Sequence, residues 1–461
     1  MTQTVQLPLW LLILIVLFAA VTFASHFLFP SVRWFFRRRA ERVIAKVNAR
    51  LPRPIEPFKL ARRYDMIQRL IYDAEVVQEI GEYARKEGIP ENVAFEKARS
   101  YAREIVPSFS ATAYFTFGTR LSRWLSRSLY RIRLGVFDRA QLEGMNPDAA
   151  IIFVMNHRSN MDYVLVTYLV ARASALSYAV GEWARVWPLS AVIRMMGAYF
   201  IRRKSRGALY RKVLARYVQM ATAGGVTQAV FPEGGLSLTG AVSEPRLGLL
   251  NYIVSDFKPD GREVIFVPVA LNYDRVLEDR FLIAADKSGV RRFRPPLSTV
   301  CRAVLSHLWQ RVTGRFDKFG TASVSFGEPL ALADFMQDRE GDQTEAVGHE
   351  LMARIRRAMP VLPVPLVARV LLAGVTDAHD LRAKVQTDLA ALASTDAPLP
   401  RRGLDKVIAD ALARLRQRGL IGDDLQVPAE SHDVLEYYAA SIAAHFDAPA
   451  AKNPEISASA K

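Results

Sequence analysis

Several common signatures of enzyme chemistry are absent from this chain of 461 residues. A single cysteine, Cys301, excludes an internal disulfide and a cysteine-rich metal site, and it favours a reducing compartment. There is no His-Glu-x-x-His zinc motif, no Gly-x-Ser-x-Gly elbow, no Walker loop and no Gly-x-Gly-x-x-Gly fingerprint. We therefore expect no metal and no cofactor, and none of the commonest zinc, serine hydrolase, nucleotide or dinucleotide chemistry.

Acidic residues are in deficit. Lysine and arginine number 62 against 46 aspartates and glutamates, which gives a formal net charge of +16. Such a charge suits either nucleic acid or an anionic membrane surface. The sequence has no recognisable nucleic-acid module, and its first residues favour the membrane. We expect a lipid bilayer, and no nucleic acid, among its partners.

Residues 7–29 form an apolar run that only four residues interrupt: Pro8, Thr22, Ser25 and His26. At about 1.5 Å per residue, a helix of this length reaches the ~30 Å of a bilayer core. Basic residues follow at once: Arg33, Arg37, Arg38, Arg39, Arg42 and Lys46. The positive-inside rule then predicts one N-terminal transmembrane anchor in the inner cell membrane, with the rest of the chain on the cytoplasmic face. A non-spanning hairpin or an interfacial segment is the alternative.

Short apolar runs alternate with helical spacing in the middle of the chain. The strand-like runs are residues 151–155, 229–231, 264–270 and 322–326. Such alternation predicts an α/β fold, with a central mostly parallel or mixed sheet flanked by helices. The expected parts are an anchor (1–30), a basic linker with a helical domain (31–133), an α/β catalytic domain (134–335), a C-terminal helical domain (336–445) and a disordered tail (446–461).

Residues 114–129 combine apolar side chains with four arginines at helical spacing: Arg120, Arg123, Arg127 and, just beyond, Arg131. A helix of this composition suits a membrane interface. It equally suits a helix that packs on the catalytic domain and exposes a basic face. The sequence leaves both interpretations open.

Residues 156–162 read Asn-His-Arg-Ser-Asn-Met-Asp and follow the first strand-like run directly. A histidine that takes a proton near neutral pH needs a carboxylate on its other ring nitrogen, and Asp162 is the nearest candidate for His157. Residues five apart on a continuous helix diverge. The two side chains therefore meet only if His157 lies in a turn before a helix that begins near Met161. The alternative is a hydrogen-bonded turn histidine beside an unrelated helix start.

These residues resemble the first of four ordered blocks of the glycerol-phosphate acyltransferase superfamily. The other blocks are Gly-Ala-Tyr-Phe-Ile-Arg-Arg at 197–203, Phe-Pro-Glu-Gly-Gly at 231–235, and Val-Pro-Val at 267–269 with Tyr-Asp at 273–274. The resemblance covers roughly residues 60–370. It implies catalytic roles for His157 and Asp162, and substrate binding by five more residues: Arg202, Arg203, Glu233, Gly234 and Gly235.

The implied reaction moves a fatty acyl group from acyl-CoA or acyl carrier protein to the sn-1 hydroxyl of glycerol 3-phosphate in phospholipid biosynthesis. Pro232 is instead typical of the enzymes that acylate lysophosphatidate, and Leu236 and Leu238 stand where the glycerol 3-phosphate branch has arginines. A lysophosphatidate acyltransferase is therefore the alternative. An inactive lipid-binding scaffold that retains the fold is a more remote one.

The expected mechanism is direct transfer without a covalent intermediate, because no Ser or Cys stands in a recognisable nucleophile setting. His157, oriented by Asp162, takes the proton from the acceptor hydroxyl as that oxygen attacks the thioester. The backbone at Gly234 and Gly235 is a candidate donor to the developing oxyanion, since residues without Cβ permit close approach.

Overall fold

The computed structural model describes residues 8–135, 144–171, 174–181, 185, 189–202, 207–289, 309, 313, 318–337, 339–395 and 397–447. Arg203, Cys301 and residues 448–461 of the predicted tail lie outside these ranges. The chain divides into two compact units, Met1–Pro54 and Ile55–Lys461.

The first unit contains one helix, Leu9–Asn48, which begins directly after Pro8. Proline suits this position because it has no N–H to leave unpaired and its φ is already helical. Across the part of the chain that the structure describes, no helix combines the length and the apolar character that crossing a bilayer requires. The predicted transmembrane anchor at residues 1–30 is not supported by this finding.

The second unit is built on a mixed sheet, which confirms the predicted fold class. In the described ranges its strands are β1 Arg131–Leu134, β2 Ala150–Met155, β3 Ser177–Gly181, β4 Tyr199–Ile201, β5 Gln228–Val230, β6 Val264–Tyr273, β7 Thr321–Phe326 and β8 Leu330–Ala331. Their order is β1-β7-β6-β2-β5-β3-β4, with β8 beside β6. The β6–β7 and β6–β8 pairs are antiparallel, and the others are parallel.

Helices precede the sheet, alternate with its strands and follow it. Before β1 they are Pro57–Leu60, Arg63–Ile71, Ala74–Glu87, Glu91–Ile105, the π-helix Ala113–Gly118 and Thr119–Leu129. Between the strands they are Met161–Val170, Leu189–Met195, Ala208–Ala223, Gly248–Val254 and Asp279–Ser288, and the helix Leu332–Met336 directly follows β8. After the sheet they are Thr344–Arg357, Pro363–Leu372, Ala378–Ala393, Leu404–Gln417, His432–Ala439 and Ala444–Asp447, with short 3-10 turns at Ala429–Ser431 and Ala440–Ile442.

Strand β2 shows how the layers are arranged. All six of its residues are buried, because both faces of the sheet are covered. Ile151, Phe153 and Met155 share one apolar cluster with the C-terminal helices that start at Pro363 and Leu404. The alternate residues of the strand share the other cluster with the helices of residues 63–105.

Strand β6 extends past the end of β2, and the polar residues of the first block lie beside this extension. Met155, the last residue of β2, pairs with Val269, whereas β6 continues to Tyr273. Asn156 extends the ladder with its side chain: its amide N donates to the Leu271 carbonyl (2.9 Å), and its amide O accepts from the Leu271 N–H (2.7 Å). The overhanging end of β6 thus covers the loop that follows β2.

Candidate active site

The loop between β2 and helix Met161–Val170 brings His157 and Asp162 together, as the predicted turn requires. His157 Nδ1 lies 2.9 Å from Asp162 Oδ2. The His157 side chain is 3% exposed and that of Asp162 is fully buried. A carboxylate only accepts hydrogen bonds, so this contact assigns the ring hydrogen to Nδ1 and leaves the Nε2 lone pair for another proton. The catalytic roles of the pair stay predictions.

Asp162 is held by donors on every side. Its Oδ2 also accepts from the backbone N–H groups of Arg158 (2.8 Å) and Ser159 (3.0 Å). Its Oδ1 accepts from the Tyr273 hydroxyl at 2.5 Å. Burial raises the pKa of Tyr273 far above its usual value, and the neighbouring Asp162 charge adds to that effect. The Tyr273 proton therefore stays in place, and the carboxylate that orients His157 is itself fixed.

Glu233, in the third block, holds the backbone of His157. Its Oε1 accepts from the His157 N–H at 2.8 Å, and its Oε2 accepts from the Ser243 N–H at 3.2 Å. Burial raises the pKa of Glu233. Two residues past the glycines, the Ser237 N–H donates to the His157 carbonyl at 2.8 Å. The third block therefore positions both backbone groups of His157; its predicted part in substrate binding is untested.

The two glycines of the third block differ in whether the backbone N–H already donates a hydrogen bond within the described residues. Gly234 has φ +68°, and a Cβ there would lie 2.7 Å from Cδ of Arg246, so the turn favours glycine. Its N–H is used in the turn, where it donates to the Phe231 carbonyl at 3.0 Å. Among the described hydrogen bonds none comes from the Gly235 N–H. Gly235 is therefore the better candidate for an oxyanion donor.

Aromatic rings shield the His157 imidazole. The Phe231 ring centroid is 4.3 Å away and that of Tyr163 is 5.3 Å away. Leu236 and Leu238, which replace the arginines of the related branch, are partly buried and pack against the same apolar cluster. Aromatic rings therefore lie directly against the imidazole, while polar groups hold Asp162 and the loop backbone.

Glu278 is a member of this site that the sequence analysis missed. Its Oε2 accepts from the Ser159 hydroxyl at 2.8 Å, while Oε1 accepts from the Asn160 N–H (3.2 Å) and the Asn160 side-chain amide (3.0 Å). Burial raises its pKa. The signal available in the sequence was an acidic residue just after the Tyr-Asp of the fourth block. Glu278 therefore holds Ser159 and Asn160 of the same loop.

The fourth block separates two functions along one strand. Tyr273 contacts Asp162, whereas Asp274 accepts from the N–H groups of Val364 (3.0 Å) and Thr321 (2.7 Å). Burial raises the pKa of Asp274. Asp274 therefore ties the sheet to the start of the helix Pro363–Leu372, whereas Tyr273 contacts Asp162.

Arg202, the predicted phosphate ligand, is paired with an acid from the helix Glu91–Ile105. Its Nε and Nη2 contact both oxygens of Glu104 at 2.6–3.1 Å. Glu104 also pairs with Arg185 at 2.8 Å. The hydrogen bonds that Arg202 donates to Glu104 raise the pKa of Arg202. No described hydrogen bond joins Arg202 to the His157 loop. The other predicted phosphate ligand, Arg203, lies outside the described residues.

One group of potential metal ligands occurs within the described ranges, at Asp377, His379 and Asp380, and all three are exposed. Asp377 caps a helix there, since its side chain accepts from the N–H groups of His379 (2.7 Å) and Asp380 (3.1 Å). Helix capping accounts for this cluster.

Comparison with known proteins matches two regions of the second unit to acyltransferase families. Residues 137–272 match the family described as Acyltransferase. Residues 307–451 match the family described as Glycerol-3-phosphate acyltransferase C-terminal region. The chain belongs to the glycerol-phosphate acyltransferase superfamily. All four sequence blocks of this superfamily member fall within or just after the first match.

Curated relatives agree with that assignment. A glycerol-3-phosphate acyltransferase of Pseudomonas entomophila is 29% identical over 82% of this chain and 45% of its own length. One from Pseudomonas putida is 30% identical over 68% of this chain and 39% of its own length, and one from Pseudomonas fluorescens is 26% identical over 90% and 52%. This superfamily member thus spans about half the length of the curated relatives it matches.

Among solved structures, the 1-acyl-sn-glycerophosphate acyltransferase of Thermotoga maritima is 20% identical to this chain. The superposition covers 53% of this chain and 77% of that chain, with a TM-score of 0.32.

Proposed function

We propose that this protein transfers a fatty acyl group from an acyl thioester to the sn-1 hydroxyl of glycerol 3-phosphate, in phospholipid biosynthesis. The observation that carries the proposal is the buried contact of His157 with Asp162, at 2.9 Å, with Tyr273 on the other carboxylate oxygen. The similarity to glycerol-3-phosphate acyltransferases supports acyl transfer to the same acceptor.

His157 acts as the general base. Its Nδ1–H is held by Asp162, so Nε2 accepts the proton of the acceptor hydroxyl while that oxygen attacks the thioester carbon. The imidazolium that forms is stabilised by the neighbouring carboxylate, and it returns the proton to the leaving thiolate. A positioned base of this kind contributes about 10² to 10⁴-fold in rate.

The developing oxyanion needs a donor that is not engaged elsewhere. The Gly235 N–H meets this condition, since the Gly234 N–H is used within its own turn. A donor already in place costs no reorganisation when charge develops on the carbonyl oxygen. We therefore assign the oxyanion contact to Gly235, while Glu233 holds the His157 backbone.

Arg202 binds the acceptor phosphate in this proposal, because a guanidinium matches phosphate in bidentate geometry. Its present partner, Glu104, is shared with Arg185. The phosphate competes with Glu104 for Arg202, and Arg185 keeps the carboxylate paired when it does. Arg203 is assigned to the same phosphate from the sequence block alone.

Lysophosphatidate is the second candidate acceptor, and one observation favours it. Leu236 and Leu238 pack against the apolar cluster beside His157, so this side of the site offers an acyl chain a more suitable surface than a small polar molecule. The same base would then act on the sn-2 hydroxyl of lysophosphatidate.

The acyl donor is acyl-CoA or acyl carrier protein, and the reaction uses no further cofactor, because a base and backbone donors supply what thioester transfer needs. We also propose that the protein works at the inner cell membrane, on the cytoplasmic face. The net charge of +16 and the arginines after residue 30 support this location.

The test uses the purified full chain in mixed detergent micelles, with radiolabelled acyl-CoA or acyl carrier protein. Glycerol 3-phosphate and lysophosphatidate are offered separately, and lipid products are resolved by chromatography. We expect labelled lysophosphatidate from glycerol 3-phosphate. Acylation of lysophosphatidate alone would reverse the acceptor, and transfer to neither acceptor from either donor would reject the enzyme and favour the lipid-binding scaffold.

A further inference from the structure

An apolar and basic surface covers the outside of the helical stretch 113–129. Three large apolar side chains are exposed there: Phe117 (56%), Leu121 (36%) and Trp124 (51%). Three exposed arginines alternate with them: Arg120, Arg123 and Arg127. Residues three, four and seven apart share one side of a helix, so these six side chains form a single surface, called here the docking face.

The inward side of the same stretch is unusually small and polar. Its buried residues in the helix Thr119–Leu129 are Ser122, Ser126 and Ser128, with Gly118 and the aromatic Tyr114 just before them, and Leu125 and Leu129 pack partly buried against the core. The Ser126 hydroxyl is fully buried and has no hydrogen-bond partner within the described residues. A surface helix normally turns its apolar stripe inward, and an unpaired buried hydroxyl is unfavourable. Stability of the fold alone therefore does not explain why serines face the core while Trp124 and Phe117 face outward.

Charge decides what covers the docking face. The sequence contains no acidic residue between Glu104 and Asp138. Within the described ranges, none of the three arginines of the face is paired with a carboxylate. A bilayer with anionic headgroups supplies phosphates for guanidinium groups, and its interfacial zone accommodates Trp and Phe rings.

We propose that the docking face seats the catalytic unit on an anionic bilayer surface, with its apolar residues at the acyl boundary and its arginines on lipid phosphates. The contact belongs to the unit Ile55–Lys461 itself and is independent of any anchor at the N-terminus. The helix Thr119–Leu129 packs directly against Met161–Val170, the helix that carries Asp162. Docking therefore sets the catalytic helix one helix layer from the lipid surface. The inference does not depend on the proposed reaction.

The test places a fluorescent dye beside the docking face itself. A binding assay of the whole chain to vesicles would also detect any attachment through the first unit. In a Cys301→Ser background, Thr116→Cys carries an environment-sensitive dye beside the face. Thr387→Cys is the matched control: both threonines are exposed, and each hydroxyl donates to the carbonyl four residues earlier (2.6 and 3.0 Å). The full chain is titrated with vesicles of phosphatidylglycerol and phosphatidylcholine in equal parts, and with vesicles of phosphatidylcholine alone.

We expect a blue shift of the dye at position 116 with the anionic vesicles, a much weaker shift with phosphatidylcholine, and none at position 387. Arg123→Gln should weaken the response roughly fivefold, the effect of about one interfacial charge. Phe117→Ser with Trp124→Ser should abolish it. No shift at 116, or equal shifts at both positions, would overturn the proposal.

Two further results separate the alternatives. If the Phe117→Ser and Trp124→Ser variant changes the oligomeric mass in solution while vesicles leave the dye at 116 unchanged, the face is a protein interface and the proposal is wrong. Acyl transfer measured in detergent micelles reports the proposed reaction without a bilayer. In the Phe117→Ser and Trp124→Ser variant, loss of the dye shift with transfer intact is the result that the docking proposal requires. A chain that keeps the dye shift but transfers no acyl group rejects only the proposed function.

Discussion

The loop of residues 156–162 and Arg202 both follow strands of the same sheet, yet their polar groups are held very differently. In the loop, Asp162 is fully buried and accepts from four donors of this chain. Arg202 is 36% exposed at its side chain, and its carboxylate partner is shared with Arg185. The first arrangement is complete without substrate; the second can exchange one anion for another. In the proposed reaction, chemistry and phosphate binding thus depend on different kinds of contact.

The first arrangement buries two more carboxylic acids, which is unfavourable for the stability of the fold. Glu233 and Glu278 flank the loop, and burial raises the pKa of each. A buried carboxylate persists only when hydrogen bonds offset its lost hydration. Backbone N–H groups of His157, Ser243 and Asn160 supply much of that compensation. The buried acids therefore lower the stability of the fold while their hydrogen bonds keep the geometry of the loop fixed.

The largest effect should follow removal of the base. His157→Ala should lower kcat by about 10² to 10⁴-fold, because no other group then accepts the hydroxyl proton. Unfolding by urea should change little, since the backbone contacts of position 157 to Glu233 and Ser237 do not involve the ring. His379→Ala, on an exposed helix start, is the matched control. Near-normal turnover of His157→Ala would contradict the assigned base.

The second largest effect tests whether the hydrogen bond from Tyr273 to the Asp162 carboxylate is needed to orient His157. Tyr273→Phe removes the 2.5 Å donor to Asp162 without changing the shape of the side chain. A hydrogen bond to a charged group contributes about 1.5 to 3 kcal/mol, so kcat should fall by up to roughly a hundredfold. The KM of the acceptor should stay nearly constant.

Tyr130→Phe is the control for that experiment. Tyr130 is buried, its ring lies 5.4 Å from that of Tyr273, and its hydroxyl donates to the Arg275 carbonyl instead of Asp162. Equal losses of kcat in the two variants would mean that the effect is a general loss of packing and that Tyr273 has no special part in orienting the pair.

The same contrast explains what sequence could and could not predict. The His157–Asp162 contact is local, and a buried strand followed by a turn and a helix leaves few ways to arrange five residues. The partners of the loop are distant: Glu233 lies 76 residues from His157, and Tyr273 lies 111 residues from Asp162. Their blocks could be recognised, but which atom each side chain contacts depends on strand order and register.

The binding region was harder still. Glu104 lies 98 residues before Arg202, in a helical segment with no recognisable motif. The strand β4 that carries the block is three residues long, too short for a period-two pattern. The strands β1, β3 and β8 were not predicted either. The predicted contact of Arg202 with phosphate therefore remained a resemblance, without a geometry.

A smaller effect is expected at the exchangeable pair. Arg202→Ala should raise the KM of a phosphorylated acceptor about tenfold, near the lower end of a charged hydrogen bond, because phosphate already competes with Glu104. The KM of the acyl donor and kcat should change little. Arg216→Ala removes a comparable pair, with Asp73 at 2.9 Å, away from the motif blocks. The same rise in both variants would remove Arg202 from the acceptor site.

The smallest effect concerns pH and separates buried acids from exposed ones. Burial raises the pKa of Glu233 above its ordinary 4.5, so the folded state binds the proton more tightly than the unfolded chain. This contribution to stability is complete below pH 4.5 and is lost as pH rises through the raised pKa, with a slope of at most about 1.4 kcal/mol per pH unit. Glu350 has a pKa that its hydrogen bonds with Arg354 lower, so its contribution is present above pH 4.5 and is lost as pH falls. Urea unfolding between pH 4 and 7 should therefore show a flatter decline of stability with rising pH in Glu233→Gln, and a weaker loss of stability toward acid in Glu350→Gln. Identical pH profiles for the two variants would show that Glu233 is ionised as easily as a surface acid, and the contrast between the fixed loop and the exchangeable surface pairs would lose its electrostatic basis.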